Sequence, residues 1–450
     1  MAGTGRFRGG AVLLAHGDRA PSSDPAQEIA PERLSLPLAQ GLGGPGRPLV
    51  AAGARVPAGA RLTEAAGPLD APVHAPASGV VEAVVREEGG GRIVLLPDPV
   101  KAGAPVPLPV LLERLPEAAG RRAILARARE AGLVLLQGPP VPLDLYLSSD
   151  LLPPVRTVIL DAAGAGPGRA AARRLLVTEP LTVLGGLVLA VRAAMATEGV
   201  VAVSRHRRDA WSAVRASFPG GRGLRSVRVG DRYPIEDPAL LARSALGASV
   251  VASLSPRAAG VAILDPHTAH ALHEAVVLGK PLTHRTVSVA SEGGRPVLVR
   301  APFGTPLQEL AESYFEKDIR QGMDPTRDNS FKIYIGSPLL GPPPAPPDAT
   351  LEKSTGSLWI EAAPARPSRA SEERPCIRCG DCVRACPVSL HPARLHELVV
   401  DGREPEELAR AGIGRCLECG LCEYLCPSRI PLLAVLREGL RDALRWDEPS

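Results

Sequence analysis

Eight cysteines give this sequence its clearest chemical pattern, and all of them fall between positions 376 and 426. They form two runs with the same spacing, C-x2-C-x2-C-x3-C-P, in which Pro387 and Pro427 follow the last cysteine. The members of the runs are Cys376, Cys379, Cys382 and Cys386, then Cys416, Cys419, Cys422 and Cys426. In such runs three closely spaced thiolates hold one iron–sulfur cube, and the fourth reaches a second cube. The spacing therefore predicts two [4Fe–4S] clusters, which pass electrons one at a time.

The crossed arrangement gives each cluster four ligands. Cluster one takes Cys376, Cys379, Cys382 and Cys426, and cluster two takes Cys416, Cys419, Cys422 and Cys386. Gly380 and Gly420 follow the second cysteine of each run, where the lack of a side chain lets the loop turn tightly. A scaffold with structural zinc is the alternative. Zinc prefers two separated C-x2-C pairs, and it would leave the third cysteine of each run idle.

The composition indicates a multidomain protein and argues against nucleic acid as a partner. A chain of 450 residues is long enough for two to four domains, and its net charge of +4 is close to neutral for this size. Only five of the 52 basic residues are lysines, and the arginines are spread along the whole sequence. No basic stripe with interleaved aromatic residues is present. The clustered cysteines are typical of metal ligands rather than of a secreted disulfide framework.

The sequence contains no predicted transmembrane helix or signal peptide. Its longest apolar run, residues 183–191, ends at Arg192 and is far shorter than the roughly 20 residues that a membrane span requires. The apolar stretch 11–15 behind Arg6 and Arg8 is too short for a signal peptide. The protein is therefore expected in the cytoplasm.

The elements that must carry the cysteines begin with a β module. Residues 1–30 are rich in Gly, Pro and Ser and are predicted to be a disordered tail. Residues 31–105 read as short strands separated by glycine turns, in a pattern similar to a lipoyl-type barrel-sandwich hybrid. A swinging-arm carrier of that fold needs a lysine on its hairpin, and the first lysine after the N-terminus is Lys101. A structural β module is therefore predicted.

Residues 106–281 alternate between strand and helix patterns, which predicts an α/β domain. Strands are expected at 155–160, 199–203 and 260–264, and helices at 184–195 and 270–278.

Two features of this domain could suggest a binding site. The stretch 161–168 is Gly-rich, but Arg169 stands where the third glycine of a G-x-G-x-x-G loop belongs, so a plain turn is predicted. His267, His270 and His273 occur at three-residue intervals without a carboxylate motif, which favours a solvated helix face over a metal site.

The C-terminal part divides into four segments. Residues 282–341 return to short strands, 342–371 form a Pro-rich linker, 372–435 hold the two-cluster ferredoxin domain, and 436–450 are a C-terminal helix and tail. The leucine stripe of that helix could lie at a membrane interface. Glu438 and Asp442 dilute its charge, so packing on the ferredoxin domain is favoured.

In this order the segments resemble the RnfC (RsxC) family, one of the subunits of the Rnf electron-transport complex, which couples ferredoxin and NAD redox chemistry to ion pumping. The resemblance covers about residues 31–440. Its most specific parts are P-C-I-R-C at 375–379 and C-P-S-R-I-P at 426–431. Further matching segments lie at 36–40, 71–75, 233–234, 274–282, 303–306, 336–341 and 353–356.

The resemblance implies a fold and a location. The fold class is multidomain α/β plus β: a barrel-sandwich hybrid, an α/β domain like the flavin- and NADH-binding subunit of respiratory complex I at 106–281, a soluble-ligand-binding β-grasp at 282–341, and a dicluster ferredoxin. It also implies a peripheral protein at the cytoplasmic face of the inner membrane. Its partners would be other subunits of a membrane complex, with ferredoxin or NADH as further partners.

One departure from the family affects the flavin site. The family has a G-x-G-G-A-G-F-P-T loop where residues 132–142 carry Pro139, Pro140 and Pro142, and it has N-G-A-E-C-E-P-Y where residues 161–168 read D-A-A-G-A-G-P-G. Proline lacks the backbone N–H that cradles phosphate. No FMN-binding, NADH-binding or catalytic residue is therefore assigned.

The sequence thus predicts an electron-transfer subunit of an ion-translocating ferredoxin/NAD oxidoreductase with two [4Fe–4S] clusters. The alternative is a stand-alone flavin-dependent NADH oxidoreductase of the cobalamin-reductase type.

Overall fold

The computed structural model describes residues 9–13, 25–87, 90–99, 120–148, 153–164, 166, 168–218, 223–247, 255–292, 294–318, 331–362 and 373–446. Most of the predicted N-terminal tail, the 363–371 part of the predicted linker and residues 447–450 lie outside these ranges.

The N-terminal module consists of short strands, as the sequence predicts. They are β2 (Leu34–Pro37), β3 (Arg47–Pro48), β4 (Arg55–Val56), β5 (Thr63–Glu64), β6 (Gly79–Glu87) and β7 (Gly90–Pro97). One antiparallel sheet has the order β2-β7-β6-β4, and β3 pairs with β5. Alternate side chains such as Leu34 and Ile93 are fully buried, and Gly53 and Gly59 turn the chain with positive φ.

Part of the segment predicted to be disordered is a strand. β1 (Gln27–Glu28) pairs in parallel with β13 (Val297–Pro302), and Arg300 forms a 3.1 Å ion pair with Glu28. The prediction of disorder over 1–30 is wrong for this part. It was based on local composition, whereas the pairing partner lies 272 residues away in sequence.

The α/β domain contains a four-stranded parallel sheet with the order β10-β9-β8-β11. Its strands are β8 (Thr157–Ala162), β9 (Glu198–Ser204), β10 (Leu224–Val229) and β11 (Val261–Leu264). Its helices are α1 (Arg121–Glu130), α2 (Leu143–Leu147), α3 (Ala170–Thr178), α4 (Pro180–Ala194), α5 (Arg208–Ser217), α6 (Pro238–Leu246) and α7 (Pro266–Val277). β8 and β9 are continuous apolar runs because both sheet faces are covered. The predicted strands and helices are present, and β10 was not predicted.

Helices α4 and α7 pack closely because α4 carries a glycine at their contact. A Cβ atom on Gly186 would lie 1.7 Å from the carbonyl oxygen of Ala269, so only glycine permits this approach. Among the described residues, no single helix is long and apolar enough to cross a membrane. α3 and α4 pass that test only as a pair, and they are bent by 98° at their junction.

A five-stranded mixed sheet follows, with the order β1-β13-β12-β15-β14. Its remaining elements are β12 (His284–Ser291), α8 (Leu307–Asp318), β14 (Phe331–Ile335) and β15 (Ser357–Ala362). β15 lies inside the stretch predicted as a linker and pairs with both β12 and β14. The linker prediction is therefore wrong for 357–362, where Leu358 and Ile360 are buried in the sheet. The proline run had drawn the predicted boundary too early.

The C-terminal domain is helical around the cysteine loops. Its helices are α9 (Asp381–Ala385), α10 (Pro392–Val400), α11 (Pro405–Arg410), α12 (Leu421–Tyr424) and α13 (Leu432–Trp446). The leucine stripe of α13 packs on the domain, with Leu436 and Leu440 buried against Leu395 and Leu408. The favoured prediction of packing is confirmed, and the helix begins at Leu432 rather than at 436.

A buried lysine joins three parts of the molecule. Lys353 lies just before β15 and is 1% exposed. Its Nζ donates 2.8 Å hydrogen bonds to the carbonyl oxygens of Pro72 in the β module and Gly132 in the α/β domain. These are the two donors of a neutral amine. Burial lowers the pKa of Lys353 to about 7, which favours that neutral form.

We expect this lysine to make stability depend on pH. The pKa is about 7 in the folded chain and about 10.4 in the unfolded chain. Between these values the unfolded state binds the extra proton, so the free energy of unfolding rises with pH, by about 1 kcal/mol per unit. Lys353→Met should remove this part of the slope and, since it leaves two carbonyls unpaired, lower the stability by about 2 kcal/mol.

The measurement is denaturant unfolding between about pH 7 and pH 9.5. The control is Lys280→Met, because Lys280 is 47% exposed and should leave the slope unchanged. Identical slopes for the wild type and Lys353→Met would contradict the prediction.

Candidate iron–sulfur site

The two cysteine runs adopt the same backbone conformation 40 positions apart. Arg378 and Glu418 have left-handed φ values of 55° and 49°, and Gly380 and Gly420 both have φ of 76°. In each run this conformation aims a backbone N–H at the first cysteine. The N–H groups of Arg378 and Glu418 lie 3.4 Å from the Sγ atoms of Cys376 and Cys416. Such N–H···S contacts stabilise thiolates that hold an iron–sulfur cluster.

The fourth cysteine of each run crosses to the other run. The thiols fall into two groups of four, each lining its own cavity. Cys376, Cys379, Cys382 and Cys426 line one cavity of 380 Å³. Cys416, Cys419, Cys422 and Cys386 line a second, tighter cavity of 20 Å³. These groups coincide with the ligand sets that the spacing predicts.

The donor set of each cavity suits an iron–sulfur cluster better than it suits uncomplexed thiols. Burial raises the pKa of the Cys419 thiol to about 12, and it also raises the pKa values of Cys382, Cys416 and Cys422. Neighbouring thiols add to the shift. Four thiolates can therefore coexist in either cavity only when a cationic metal compensates their charge. Among the described residues, no three His, Cys, Asp or Glu side chains converge tightly enough for a single metal ion.

The chain's own body covers the second cavity. Tyr233, from the α/β domain, is 4% exposed and donates a 2.7 Å hydrogen bond to the carbonyl oxygen of Cys419. Leu339, in a short 3-10 helix at Pro338–Leu340, packs beside it against Leu421. The N-terminal segment 9–13 completes this cover, because the N–H of Gly10 bonds to the carbonyl oxygen of Ala385 at 2.9 Å.

The first cavity is more open. Cys376 and Cys379 are exposed, whereas Cys416, Cys419 and Cys422 are half-buried. Ile377, between two of the thiols, is 68% exposed.

Helix α13 closes another side of the second cavity. Leu433 and Leu436 line that cavity. Arg437 donates a 2.8 Å hydrogen bond to Glu418, and the N–H of Leu433 donates to Glu423 at 2.9 Å. The stripe of α13 therefore excludes water from this group of cysteines.

The three histidines of α7 do not form the predicted solvated face. His270 is 15% exposed and pairs with Glu179 at 2.9 Å and Glu274 at 3.4 Å. Burial alone lowers the pKa of His270, but these carboxylates outweigh it and raise the pKa. Burial lowers the pKa of His267 to about 3. The prediction failed because it considered the helix alone, and α7 is covered by α4 and the mixed sheet.

The Gly-rich stretch after β8 is a turn filled by an arginine. Arg169 pairs with Asp161 at 3.0 Å and also bonds to Gln137. A Cβ atom on Gly164 would lie 2.7 Å from the Arg169 side chain. The side chain therefore occupies the space that a phosphate would need in a nucleotide-binding turn.

The proline loop at 132–142 has also used its backbone donors. The N–H of Leu135 bonds to the carbonyl oxygen of Val141, and the N–H of Val141 bonds to that of Pro139, at 2.9 and 2.8 Å. The N–H of Leu136 bonds to Thr268 Oγ1 at 2.9 Å. These residues do not fit a flavin phosphate, which needs free N–H donors.

Sequence reasoning missed the residues that cover the second cavity. Tyr233 carried part of the resemblance but had no assigned role, and segment 9–13 was placed in the disordered tail. Their contacts reach Cys419 and Ala385 across 186 and about 375 residues of sequence. No local pattern could reveal such pairings.

The two loop glycines provide a matched test of this cover. A Cβ atom on Gly420 would lie 1.7 Å from the carbonyl oxygen of Leu339, whereas one on Gly380 meets only the flexible side chain of Arg384 at 3.2 Å. Both substitutions to alanine strain the same positive φ, at about 1 kcal/mol. We expect Gly420→Ala to destabilise the protein by about 2 kcal/mol more than Gly380→Ala does, because it also forces apart two backbones.

Thermal unfolding of anaerobic samples, with iron content measured in parallel, compares the two variants. Equal losses of stability would show that Leu339 does not press on this loop.

Comparison with known proteins agrees with this arrangement. Residues 5–89 match the family model of the RnfC barrel sandwich hybrid domain, and residues 375–430 match that of a 4Fe-4S dicluster domain. The first match begins inside the stretch predicted as a disordered tail.

Curated relatives extend the similarity to most of the chain, and all three described below are the C-type component of their complexes. The component of the ion-translocating oxidoreductase complex of Pseudomonas aeruginosa is 32% identical over 89% of this chain and 51% of its own length. That of Rhodobacter capsulatus is 30% identical over 85% of this chain and 72% of its own length. The component of the Na(+)-translocating ferredoxin:NAD(+) oxidoreductase complex of Acetobacterium woodii is 27% identical over 82% and 81%. This chain thus spans about half the length of the Pseudomonas relative.

A solved structure of an NAD+-reducing [NiFe]-hydrogenase in the H2-reduced state covers 74% of this chain and 64% of its own chain. The TM-score is 0.47 at 18% identity, which is too distant to support an argument. The barrel match, the dicluster match and the Rhodobacter relative together show that the chain belongs to the RnfC family of ion-translocating oxidoreductase complex subunits.

Proposed function

We propose that the chain is an electron-transfer subunit that relays single electrons through two [4Fe–4S] clusters in a membrane-bound, ion-translocating ferredoxin/NAD oxidoreductase complex. The observation that carries this proposal is the grouping of eight cysteines into two sets of four in one dicluster domain. Ferredoxin and NAD occur in the name of the Acetobacterium relative and are therefore part of the proposal. So are the partner subunits and the cytoplasmic, peripheral location.

The ligand sets follow from the two cavities. Cluster one would be held by Cys376, Cys379, Cys382 and Cys426, and cluster two by Cys416, Cys419, Cys422 and Cys386. Each cluster would supply a site that accepts and releases one electron. The chain would position the thiols, donate N–H groups to sulfur and exclude water through Tyr233 and α13. These are the features by which a protein tunes a cluster potential.

We infer the domain division from the sheets. The β module would be a barrel-sandwich hybrid over 31–105, and the domain at 106–281 would be a relative of the complex I flavin subunit. The mixed sheet supports a β-grasp, because the hairpin β12–β13, the helix α8 and the parallel pair β12–β15 have the order of that fold. Its boundary would extend from 282 to about 362, followed by the dicluster domain from 372 to 435 and the C-terminal helix.

The α/β domain would act as a scaffold without bound flavin. Arg169 fills the turn after β8, and the proline loop bonds to itself. The flavin-dependent NADH oxidoreductase remains the second candidate only as an outcome of the experiment.

Anaerobic purification with iron, sulfide and flavin quantified together tests the proposal. About eight irons and about eight sulfides per chain without flavin support the relay. The same iron with one FMN per chain would make the chain an NADH entry point. Iron near zero, or zinc in its place, would refute an electron-transfer role.

Single substitutions test the crossed ligands. Cys379→Ala and Cys426→Ala should both lose cluster one, and Cys386→Ala and Cys419→Ala should both lose cluster two. Each variant should keep about four of eight irons. Electron paramagnetic resonance of the reduced protein identifies which cluster signal is lost. Loss of the same signal in Cys426→Ala and Cys419→Ala would contradict the crossing.

A further inference from the structure

The two cysteine groups differ in what surrounds them. The second group is covered by Tyr233, Leu339 and α13, as described above. The first group has two exposed cysteines, Cys376 and Cys379, with the exposed Ile377 between them. An electron exchanged with another protein therefore has its shortest open approach at the first group.

Three exposed arginines surround this opening. Arg378 lies between Cys376 and Cys379, and Arg429 follows the Cys426 loop. Arg374 is adjacent, because its N–H bonds to the carbonyl oxygen of Ser428 at 2.8 Å. Within the described part of the chain, none of the three makes an ion pair.

The nearby carboxylates leave a positive excess. Asp381 pairs with Arg384, and Glu397 pairs with Arg394. The exposed Glu373 therefore stands against three arginines, which leaves an excess of two positive charges. We call Cys376, Ile377, Arg378, Cys379, Arg374 and Arg429 the cluster-one face.

The repeat supplies an internal comparison. Forty positions away, the residues equivalent to Arg374, Arg378 and Arg429 are Gly414, Glu418 and Ser389. The equivalent of Ile377 is Leu417, which is half-buried. The loop conformation and thiols are the same, so holding a cluster in this fold does not require arginine at these positions. The arginines occur only where the surface is open.

We propose that the cluster-one face is the docking site of an acidic one-electron carrier protein, which exchanges electrons with cluster one. This inference rests on the proposed function. An apolar centre with a charged rim is typical of protein interfaces, and transient redox partners need only a small one. Unpaired positive charge would steer an acidic carrier and speed its association. Exposed thiols at the centre favour a redox protein over a lipid surface.

The test uses the full-length protein with its iron content verified, and a small acidic 2[4Fe–4S] ferredoxin as the probe. Calorimetry measures Kd at low and at high salt. Arg378→Glu with Arg429→Ser copies the equivalent residues Glu418 and Ser389, so the left-handed loop positions remain acceptable. We expect Kd to rise about tenfold or more at low salt and the salt dependence to shrink.

The matched control is Arg410→Glu with Arg445→Ser, since both residues are exposed on the same domain away from the thiols. It should change Kd less than about twofold. Arg374→Ser, which lies outside the cysteine loop, should weaken binding about threefold and serves if the double variant fails to fold.

Several results would overturn the proposal. They are equal weakening in variant and control, no binding by the wild type, tighter binding of a basic c-type cytochrome, or binding of anionic vesicles instead of the ferredoxin. A shifted midpoint potential of cluster one with unchanged Kd would also overturn it, because the arginines would then only tune the cluster. Failure of the proposed function is separate, since it would appear as missing iron before any binding is measured.

Discussion

The structure of the C-terminal domain depends on one constraint, which is that each group of four thiols draws its members from both runs. Cys386 must reach the second run and Cys426 the first, so the two loops have to face each other at a fixed distance. α10 and α11, which connect the loops, and α13, which follows them, pack together through Leu395, Leu408 and Leu436. This small apolar core holds the loops in register. Because burial raises the pKa values of several of these thiols, the arrangement is electrostatically satisfied only with metal present.

The rest of the chain makes this near-symmetric domain asymmetric. The α/β domain contributes Tyr233, the stretch after β14 contributes Leu339, and the N-terminal segment contributes Gly10, all at the same end. Their positions depend in turn on how the three upstream units join, and Lys353 links those units through two carbonyl groups. A domain that no longer fits flavin phosphate can therefore remain necessary, because it encloses one group of thiols and leaves the other accessible.

The chemistry of the site could be predicted from the sequence more completely than its surroundings could. Cysteine spacing is a local property, so it predicted two groups of four that the structure brings together. Strands β8, β9 and β11 were also found, since fully buried parallel strands are continuous apolar runs. β15 and β1 were missed because their partners lie far away in sequence and because prolines and glycines dominate their neighbourhood. The histidines of α7 were misjudged for the same reason, since their burial comes from α4 and the mixed sheet.

The paired loops also indicate why the two groups of cysteines are not interchangeable. Both carry the same left-handed residue and the same glycine, so differences between them reflect what each loop contacts. Gly420 must be glycine twice over, for its φ and for the Leu339 carbonyl, whereas Gly380 is needed only for its φ. Glu418 is engaged by Arg437, whereas its counterpart Arg378 has no partner within the described residues. The covered loop has thus become specialised for contact with the chain's own body, and the open loop keeps the charged and apolar side chains that a separate partner could contact.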